Sequence, residues 1–507
     1  MRNGFLHDLP KVHRSAAVRV AEQVAMSRVG LDEDDLMARA GLAAWRLLLD
    51  RWPEAQRIGV VCGPGNNGGD GYVLAELARS SGRHVFVLRL GDEVKAGAAR
   101  RAAEAYLLAG GEAATFVVDD GLPQVDVWVD ALFGIGLHRA LEGAAADLVA
   151  ALDHDNAAPI LALDIPSGVD ADSGHHDGVA VRADVTLAFI AGKPGLYTGR
   201  GRVAAGEVVI DTLGLADHVF DDLEPAACIA RIAALPRWFP PRARDAHKGR
   251  FGHVLCIGGD RGYGGALALC AEAALRTGAG LVSAATRAEH VPALLARRPE
   301  CMTRAVDDAS ELQPLLDAAS VIAIGPGLGD GEWGAAMLDA ALATDLPRVL
   351  DADALNAIAR RDARTLGDAV ITPHPGEAAR LLGETVAEVE RDRVQAARRL
   401  AGRYACTVVL KGAGSVIAAP GEIPAIVDAG NPGMATGGMG DVLTGTIAAL
   451  LAQGRPQGLS CFEAAVCGAL LHAAAGDAAA RDGGERGLLP SDLFPQLRRL
   501  ANPVARA

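Results

Sequence analysis

An alternation constrains this chain more than any other feature. From Ile58 onward, short β-rich runs (IGVVCG, HVFVLRLG, VDVWVDALFG, PILALDIPSG, DVTLAFIAGKPG, GEVVIDTLG) are each followed by turn residues and an alanine-rich helical stretch. Runs that are apolar on both faces must be covered above and below, and helical crossovers between them make neighbouring strands parallel. A second series begins at FGHVLCIGGD and continues through AGLVSAAT, SVIAIGPGLG, PRVLDADALN, AVITPHPGE and TVVLKGAGS. Residues 15 to 52 read as amphipathic helices. LPRWFPPRARDAHKG, residues 235 to 249, has the prolines and charges of a linker. The 507 residues supply two cores, and the expectation is two α/β domains, 1–230 and 231–507, with no internal repeat.

Composition narrows the function classes. A net charge of −14 speaks against nucleic-acid partners. The expectation is also no membrane partner, because no uncharged apolar run reaches spanning length. The opening MRNGFLHDLPKVHRS lacks the apolar core of a secretory leader. The eight cysteines show neither C-x-x-C nor zinc spacing and read as small buried hydrophobes in a reducing, cytoplasmic setting. Only five of the 49 basic residues are lysines, and Lys193, Lys248 and Lys411 sit in glycine-containing turns. There a compact ammonium suits an anionic ligand, although an exposed loop lysine fits the same pattern.

In parallel α/β sheets, ligands bind beyond the carboxyl ends of the strands. The unusual residues of this chain fall at those places. GNPGMATGGMGDVLTG, residues 430 to 445, holds six glycines and one acid, Asp441, where a helix begins. Glycines let backbone N–H groups face a ligand, and a helix N-terminus adds unpaired donors and partial positive charge, which together make a phosphate site. A carboxylate beside a transferable phosphoryl group can accept the proton of an attacking hydroxyl. Taken alone, the same aspartate serves equally well as a helix cap.

GGMGD resembles the anion-hole and base motif of ribokinase-like kinases. HKGRFGHVLCIGGD, GALALCAEAALRTGAGLV, IGPGLG, TPHPGE, LKGAGS and GNPGMATGGMGDVLTG together, over residues 247 to 475, resemble ADP-dependent NAD(P)H-hydrate dehydratases. The resemblance implies a ribokinase-like domain in which Lys411, Gly412, Ala413, Gly414, Ser415 and Gly440 contact ADP or ATP. Ala266, Gly327, Gly329, His374 and Asp441 would face the hydrated nucleotide, with Asp441 as general base. It also implies Mg2+ on the nucleotide phosphates; Asp351 and Asp353 are candidate ligands, and both also read as strand-end caps. From the residues alone, His374 reads as a loop histidine held by Pro373 and Pro375.

In the first half, CGPGNNGGDG carries G-x-G-x-x-G at Gly63, Gly65 and Gly68 between a strand and a helix, a weak dinucleotide signal. The first acid after the next strand, Asp92, is a doubtful ribose ligand. Asn67, Asp130 and Ser167 offer hard oxygens suited to a hard cation, or simply turn caps. GNNGGDGYVLA, VDALFGIGL, LDIPSGVD and FIAGKPG resemble NAD(P)H-hydrate epimerases over residues 15 to 215. By that resemblance the domain is Rossmann-like and three-layered. Asn66, Asn67, Gly68, Gly69, Asp70, Gly134, Ile135, Gly136, Leu137, His138, Arg139, Ala140 and Asp164 bind the hydrate, and Asn67, Asp130 and Ser167 hold K+. Asp164 is the candidate acid/base, with Lys193 as proton relay or structural ion pair. Arg39 departs from the pattern, where a neutral or acidic residue is expected.

Together the halves resemble bifunctional NAD(P)H-hydrate repair enzymes, whose small-molecule substrates are hydrated NADH or NADPH and an adenine nucleotide. A small-molecule kinase fused to a non-catalytic Rossmann-like binding module is the alternative. ADP versus ATP, NADH versus NADPH, and a homo-oligomer stay open.

Overall fold

The computed structural model describes residues 8–91, 94–154, 158–361 and 365–502. Two compact units are present: Lys11–Ala227, and Cys228–Ala507 together with the leading segment that ends at Pro10. Asp92 lies outside the described residues.

The first unit is built on seven parallel strands: β1 (Arg57–Cys62), β2 (His84–Arg89), β3 (Ala113–Thr115), β4 (Val127–Ala131), β5 (Ile160–Leu163), β6 (Val185–Phe189) and β7 (Glu207–Asp211). Their spatial order is β3-β2-β1-β4-β5-β6-β7. The order reverses between β1 and β4, which opens a crevice at their carboxyl ends. Apolar side chains from β1, β4 and β5 divide between two clusters, one on each side of the sheet, and those of β6 join one of them. Helices Ser15–Val24 and Glu33–Arg51 cover one of them, as the amphipathic reading of 15 to 52 requires. Arg39 donates to the Leu213 carbonyl at 2.8 Å, so this departure from the expected pattern tethers a helix to the loop after β7.

The second unit continues with β8 (Ala227–Ala230), β9 (His253–Ile257), β10 (Leu281–Thr286), β11 (Met302–Ala305), β12 (Val321–Ile324), β13 (Arg348–Leu350), β14 (Ala369–Ile371), β15 (Thr407–Leu410), β16 (Val416–Ala418) and β17 (Ala425–Val427). They run in the order β8-β17-β16-β15-β14-β13-β12-β9-β10-β11. Only the β15–β16 and β16–β17 pairings are antiparallel. The short strands β3, β8, β11, β16 and β17 escape the sequence reading, because three or four residues carry too little pattern. Helix Met439–Gly454 is buried at every residue from Val442 to Ala452 and packs against helix Gly264–Thr277. Such all-round burial explains its nearly uncharged sequence.

Residues 235 to 249 are not a linker between domains. Leu235 and Phe239 are buried in the core of the second unit, and Leu235–Trp238 forms a short helix. Residues 235 to 239 carry that packing, whereas 240–245 and 247–249 are exposed, a distinction that composition does not make.

Candidate active sites

The first site forms at the carboxyl ends of β1, β4, β5 and β6. Asn66 begins helix Asn66–Ser80 directly after the β1 turn. Asn66 is exposed, while Asn67, Gly68 and Gly69 are buried. Both polar atoms of the Asn67 amide are buried without a hydrogen-bond partner among the described residues. Asp130, in β4, is wholly buried. It accepts from Ser167 Oγ at 2.7 Å, Ser167 N at 2.8 Å and Leu132 N at 3.2 Å. Burial pushes its carboxyl up to about 6, against those hydrogen bonds. Asp130 and Ser167 are therefore in contact, and their mutual capping fits a structural role as well as a cation site.

Asp164 follows β5 with φ 65, a left-handed conformation that a non-glycine residue adopts at a cost. Lys193, with no exposed surface, donates to Asp164 Oδ1 at 2.6 Å and to the Phe189 carbonyl at 2.8 Å. The Ile135 N–H donates to Asp164 Oδ2 at 3.0 Å. A Cβ on Gly134 would lie 2.5 Å from that same oxygen, so only glycine lets the loop after β4 approach the carboxylate. Within this loop Leu137 is packed into the core, whereas Gly136, His138 and Arg139 are exposed and Ala140 is half-buried. His138 reaches Asp170 at 3.4 Å.

Asp70 and Glu22 complete the site. Burial raises the carboxyl of Asp70 well above its usual range, with Asp164 and Glu22 adding to the effect. Burial, followed by Asp164, also raises Glu22. Glu22 is absent from the sequence reading. It lies on helix Ser15–Val24, where a lone glutamate among polar residues looks like a solvated face.

The second site spans the ends of β9, β12, β13, β14 and β15, which are successive neighbours in the sheet. Lys411, just after β15, donates to Asp351 Oδ1 at 2.8 Å and lies 3.8 Å from Glu377 Oε2. Thr444 donates to Asp351 Oδ2 at 2.9 Å. Burial opposes both charges, yet Asp351 and Glu377 raise Lys411 while Lys411 and Thr444 lower Asp351. The pair stays ionised. A Cβ on Gly440 would lie 3.1 Å from Lys411 Nζ and 3.2 Å from Asp351 Oδ2, so glycine seats the pair against the first turn of helix Met439–Gly454. Asp441 follows in that turn. Burial, reinforced by Asp351 and partly offset by Lys411, pushes its carboxyl up to about 7.

Ala266 and Gly327 are neighbours, and Gly329 lies over Asp260, which Arg287 holds at 2.8 Å. Asp353 accepts from Gly329 N at 2.9 Å. His374 caps helix Pro375–Leu382: its Nδ1 accepts from Gly376 N at 3.0 Å, and Glu377 returns a bond to its backbone N–H at 2.8 Å. In the turn after β15, Ser415 Oγ bonds to both the N–H and the carbonyl of Gly412.

Two supporting residues escape the sequence reading. Arg393, buried, donates to the Leu410 and Lys411 carbonyls and pairs with Glu390, which fixes the turn at Lys411 to Ser415. It sits in RDRVQAARR, which reads as a solvated charge run. His472 lies against the Met439 backbone, and burial pushes its imidazole down to about 4, leaving it neutral at pH 7.

The family model described as NAD(P)H-hydrate dehydratase matches residues 254–499, and that described as YjeF-related protein N-terminus matches residues 33–195. The bifunctional NAD(P)H-hydrate repair enzyme Nnr of Coxiella burnetii is 47% identical over 497 residues, covering 97% of this chain and 99% of the relative. The chain belongs to the bifunctional NAD(P)H-hydrate repair enzymes. The Nnr repair enzyme of Escherichia coli is 46% identical over 494 residues, covering 96% of this chain and 93% of its own. Among solved structures, an ADP/ATP-dependent NAD(P)H-hydrate dehydratase from Bacillus subtilis, co-crystallized with ATP/Mg2+, is 30% identical, covers 53% of this chain and 95% of its own, and has a TM-score of 0.48. As a bifunctional NAD(P)H-hydrate repair enzyme, the chain carries a Rossmann-like epimerase half followed by a ribokinase-like dehydratase half, as its motifs lead one to expect. Among the described residues no helix is long and apolar enough to cross a membrane, and no group of three or more His, Cys, Asp or Glu is placed to hold a metal ion.

Proposed function

We propose that Asp441 is the general base of the dehydratase half, and that ADP or ATP is its phosphoryl donor. The observation that carries this reading is the position of Asp441: it lies in the first turn of a buried helix, beside Lys411, with its carboxyl pushed up to about 7. A base poised near neutrality takes a proton efficiently at physiological pH. Asp441 accepts the proton of the ring hydroxyl as that oxygen attacks the terminal phosphorus. Backbone N–H groups of the glycine turn, with Lys411, take up charge on the transferring group. Hydroxide leaves poorly and phosphate leaves well, so loss of phosphate, with release of a proton from the adjacent ring carbon, restores the ring double bond. The products are NADH or NADPH, phosphate, and AMP or ADP. On this reading Ala266, Gly327, Gly329 and His374 face the hydrate, while Lys411, Gly412, Ala413, Gly414, Ser415 and Gly440 face the nucleotide.

A protein-held Mg2+ does not fit here. Both oxygens of Asp351 are committed to Lys411 and Thr444, and Asp353 holds Gly329. Any Mg2+ therefore comes with the nucleotide phosphates and water.

In the epimerase half, Asp164 is the proposed acid/base at the hemiaminal carbon. Lys193 and Ile135 N–H orient it, and Asn66 to Asp70 with the exposed parts of Gly134 to Ala140 bind the hydrate. A K+ ion suits Asn67, Asp130 and Ser167, because the orphaned Asn67 amide offers a neutral oxygen, and Asp130 and Ser167 offer a carboxylate and a hydroxyl in contact with each other. K+ would organise the turn after β1. A cytoplasmic location accords with eight buried cysteines that show neither C-x-x-C nor zinc spacing. The test is to incubate the protein with ADP and mixed hydrate epimers. Complete return of reduced-nicotinamide absorbance supports the pairing of activities; return of only half, with the R form left over, contradicts the epimerase assignment.

A further inference from the structure

The second unit contains a cavity of about 1060 Å3 that none of the active-site residues lines. It lies at the far end of helix Met439–Gly454, where Leu450, Gln453 and Gly454 form part of its wall. The packed segment that resembles a linker forms another part, through Trp238, Phe239 and Arg242.

The lining is cationic in an acidic protein. Six arginines line the cavity, namely Arg237, Arg242, Arg250, Arg276, Arg298 and Arg498, against two carboxylates, Glu300 and Glu463. Formally that is +4 locally, in a chain of net charge −14. Four of the six have carboxylate partners: Arg237 with Asp8, Arg250 with Asp245, and Arg276 and Arg298 with Glu272. Glu463 is already committed to capping Ser460. Arg242 and Arg498 have no carboxylate partner among the described residues.

Arg242 is also held in place. It donates to the Gly278 carbonyl at 2.6 Å and to Gln453 Oε1 at 2.7 Å, and its guanidinium lies 3.6 Å from the centroid of the Phe251 ring. Two further polar groups in the wall, Thr277 Oγ1 and Trp238 Nε1, are buried without a partner among the described residues, and Thr277 is only 2% exposed. An oriented guanidinium without a counter-ion, aromatic faces beside it, and a volume at the upper end of small-molecule sites fit one kind of ligand: an aromatic base joined to phosphates.

We propose that this cavity is a second nucleotide site, separate from the catalytic one, with phosphates on Arg242 and Arg498 and the base against the Trp238 and Phe251 rings. An adenine nucleotide and a nicotinamide dinucleotide share that chemistry. The test distinguishes them and reads binding without turnover, so it is independent of the roles proposed for the active-site residues.

Equilibrium dialysis of the full chain, with ADP in one arm and NADP+ in the other, compares wild type with Arg242→Gln/Arg498→Gln. In the arm holding the true ligand, wild type binds one equivalent that the variant loses or binds at least about tenfold more weakly, as expected for loss of charge-assisted hydrogen bonds. Dehydration of the S form stays unchanged. Equal stoichiometry and affinity in both arms overturn the proposal. If the double variant does not fold, Arg498→Gln alone decides, because Arg498 has no ion pair among the described residues: weaker binding of one equivalent supports the site, and unchanged binding overturns it. A change in sedimenting mass with both stoichiometries intact assigns the cavity to contact between copies of this chain and also overturns it.

Discussion

Lys193 Nζ lies 2.6 Å from Asp164 Oδ1, and the lysine has no exposed surface. Breaking a buried pair strands the remaining charge, typically at a cost of about 3 to 5 kcal/mol. Lys193→Met is therefore expected to lower the Tm of the epimerase half and, well below that Tm, still to reduce R–S exchange by about a hundredfold or more, as loss of an organised acid/base requires. Dehydration of the S form should be spared. NMR of the hydrate epimers reads the exchange. If the folded variant exchanges them at the wild-type rate, the pair is structural only.

Asp441 gives a pH signature. Its carboxyl is pushed up from 3.8 to about 7, so the dehydratase rate should rise with pH through roughly that value as the base form appears. Asp441→Asn should abolish this dependence together with at least about a hundredfold of kcat, while ADP still binds. Stability moves the opposite way. From about pH 4 to pH 7 the folded state holds a proton that the unfolded chain has released, so stability falls as pH rises across that window. At pH 8 Asp441→Asn should therefore raise the Tm of the dehydratase half, and the gain should vanish below about pH 4. An unchanged Tm at pH 8 would contradict the raised carboxyl.

The candidate site residues stand out in the sequence because they sit in turns after strands or in the first turn of a helix. NNGGD, Asp164, Asp441 and LKGAG stand out there, where glycine and a single charge have few structural duties. What supports them is not legible. Arg393 and Glu22 lie on helices whose charge patterns match ordinary solvated faces, and only the packing buries the first and half-buries the second. Residues 235 to 249 have a linker's composition because proline and arginine serve equally well in a tether and in a cavity wall. His374 illustrates a third case: the flanking prolines suggest a held loop, whereas the structure shows a reciprocal helix cap that leaves Nε2 free of that duty.

The cation site is tested through Asn67. A buried amide with no partner is destabilising by about 1 to 3 kcal/mol unless a ligand completes it. In K+-free buffer, Asn67→Leu should leave the Tm equal to or above wild type. Added K+ should raise the Tm of wild type but not of the variant, and epimerisation should fall only in the variant. Crystals soaked in rubidium should show an anomalous peak beside Asn67, Asp130 and Ser167. An identical K+ response in both proteins would remove Asn67 from the site.

The boundary between the halves makes a sharper test than their separation alone. A division at 230/231 leaves β8 with the epimerase half, yet β8 pairs in parallel with β17, in the register Cys228 to Ala425, Ile229 to Ile426 and Ala230 to Val427. Ile229 is 1% exposed, and Cys228 and Ala230 belong to the core of the dehydratase unit. A fragment starting at 232 therefore exposes the edge of β17 and gives up burial of an isoleucine worth roughly 2 kcal/mol, besides the ladder hydrogen bonds. One starting at 224 keeps both. The longer fragment should fold, dehydrate the S form and leave R to its slow spontaneous exchange. The shorter should melt several degrees lower and aggregate more readily, with a similar kcat while folded, because β17, β16 and β15 separate β8 from β14, β13, β12 and β9 in the sheet order. Differential scanning calorimetry of the two fragments decides the matter: equal Tm values would show that β8 contributes nothing to the dehydratase half and would return the boundary to residue 230.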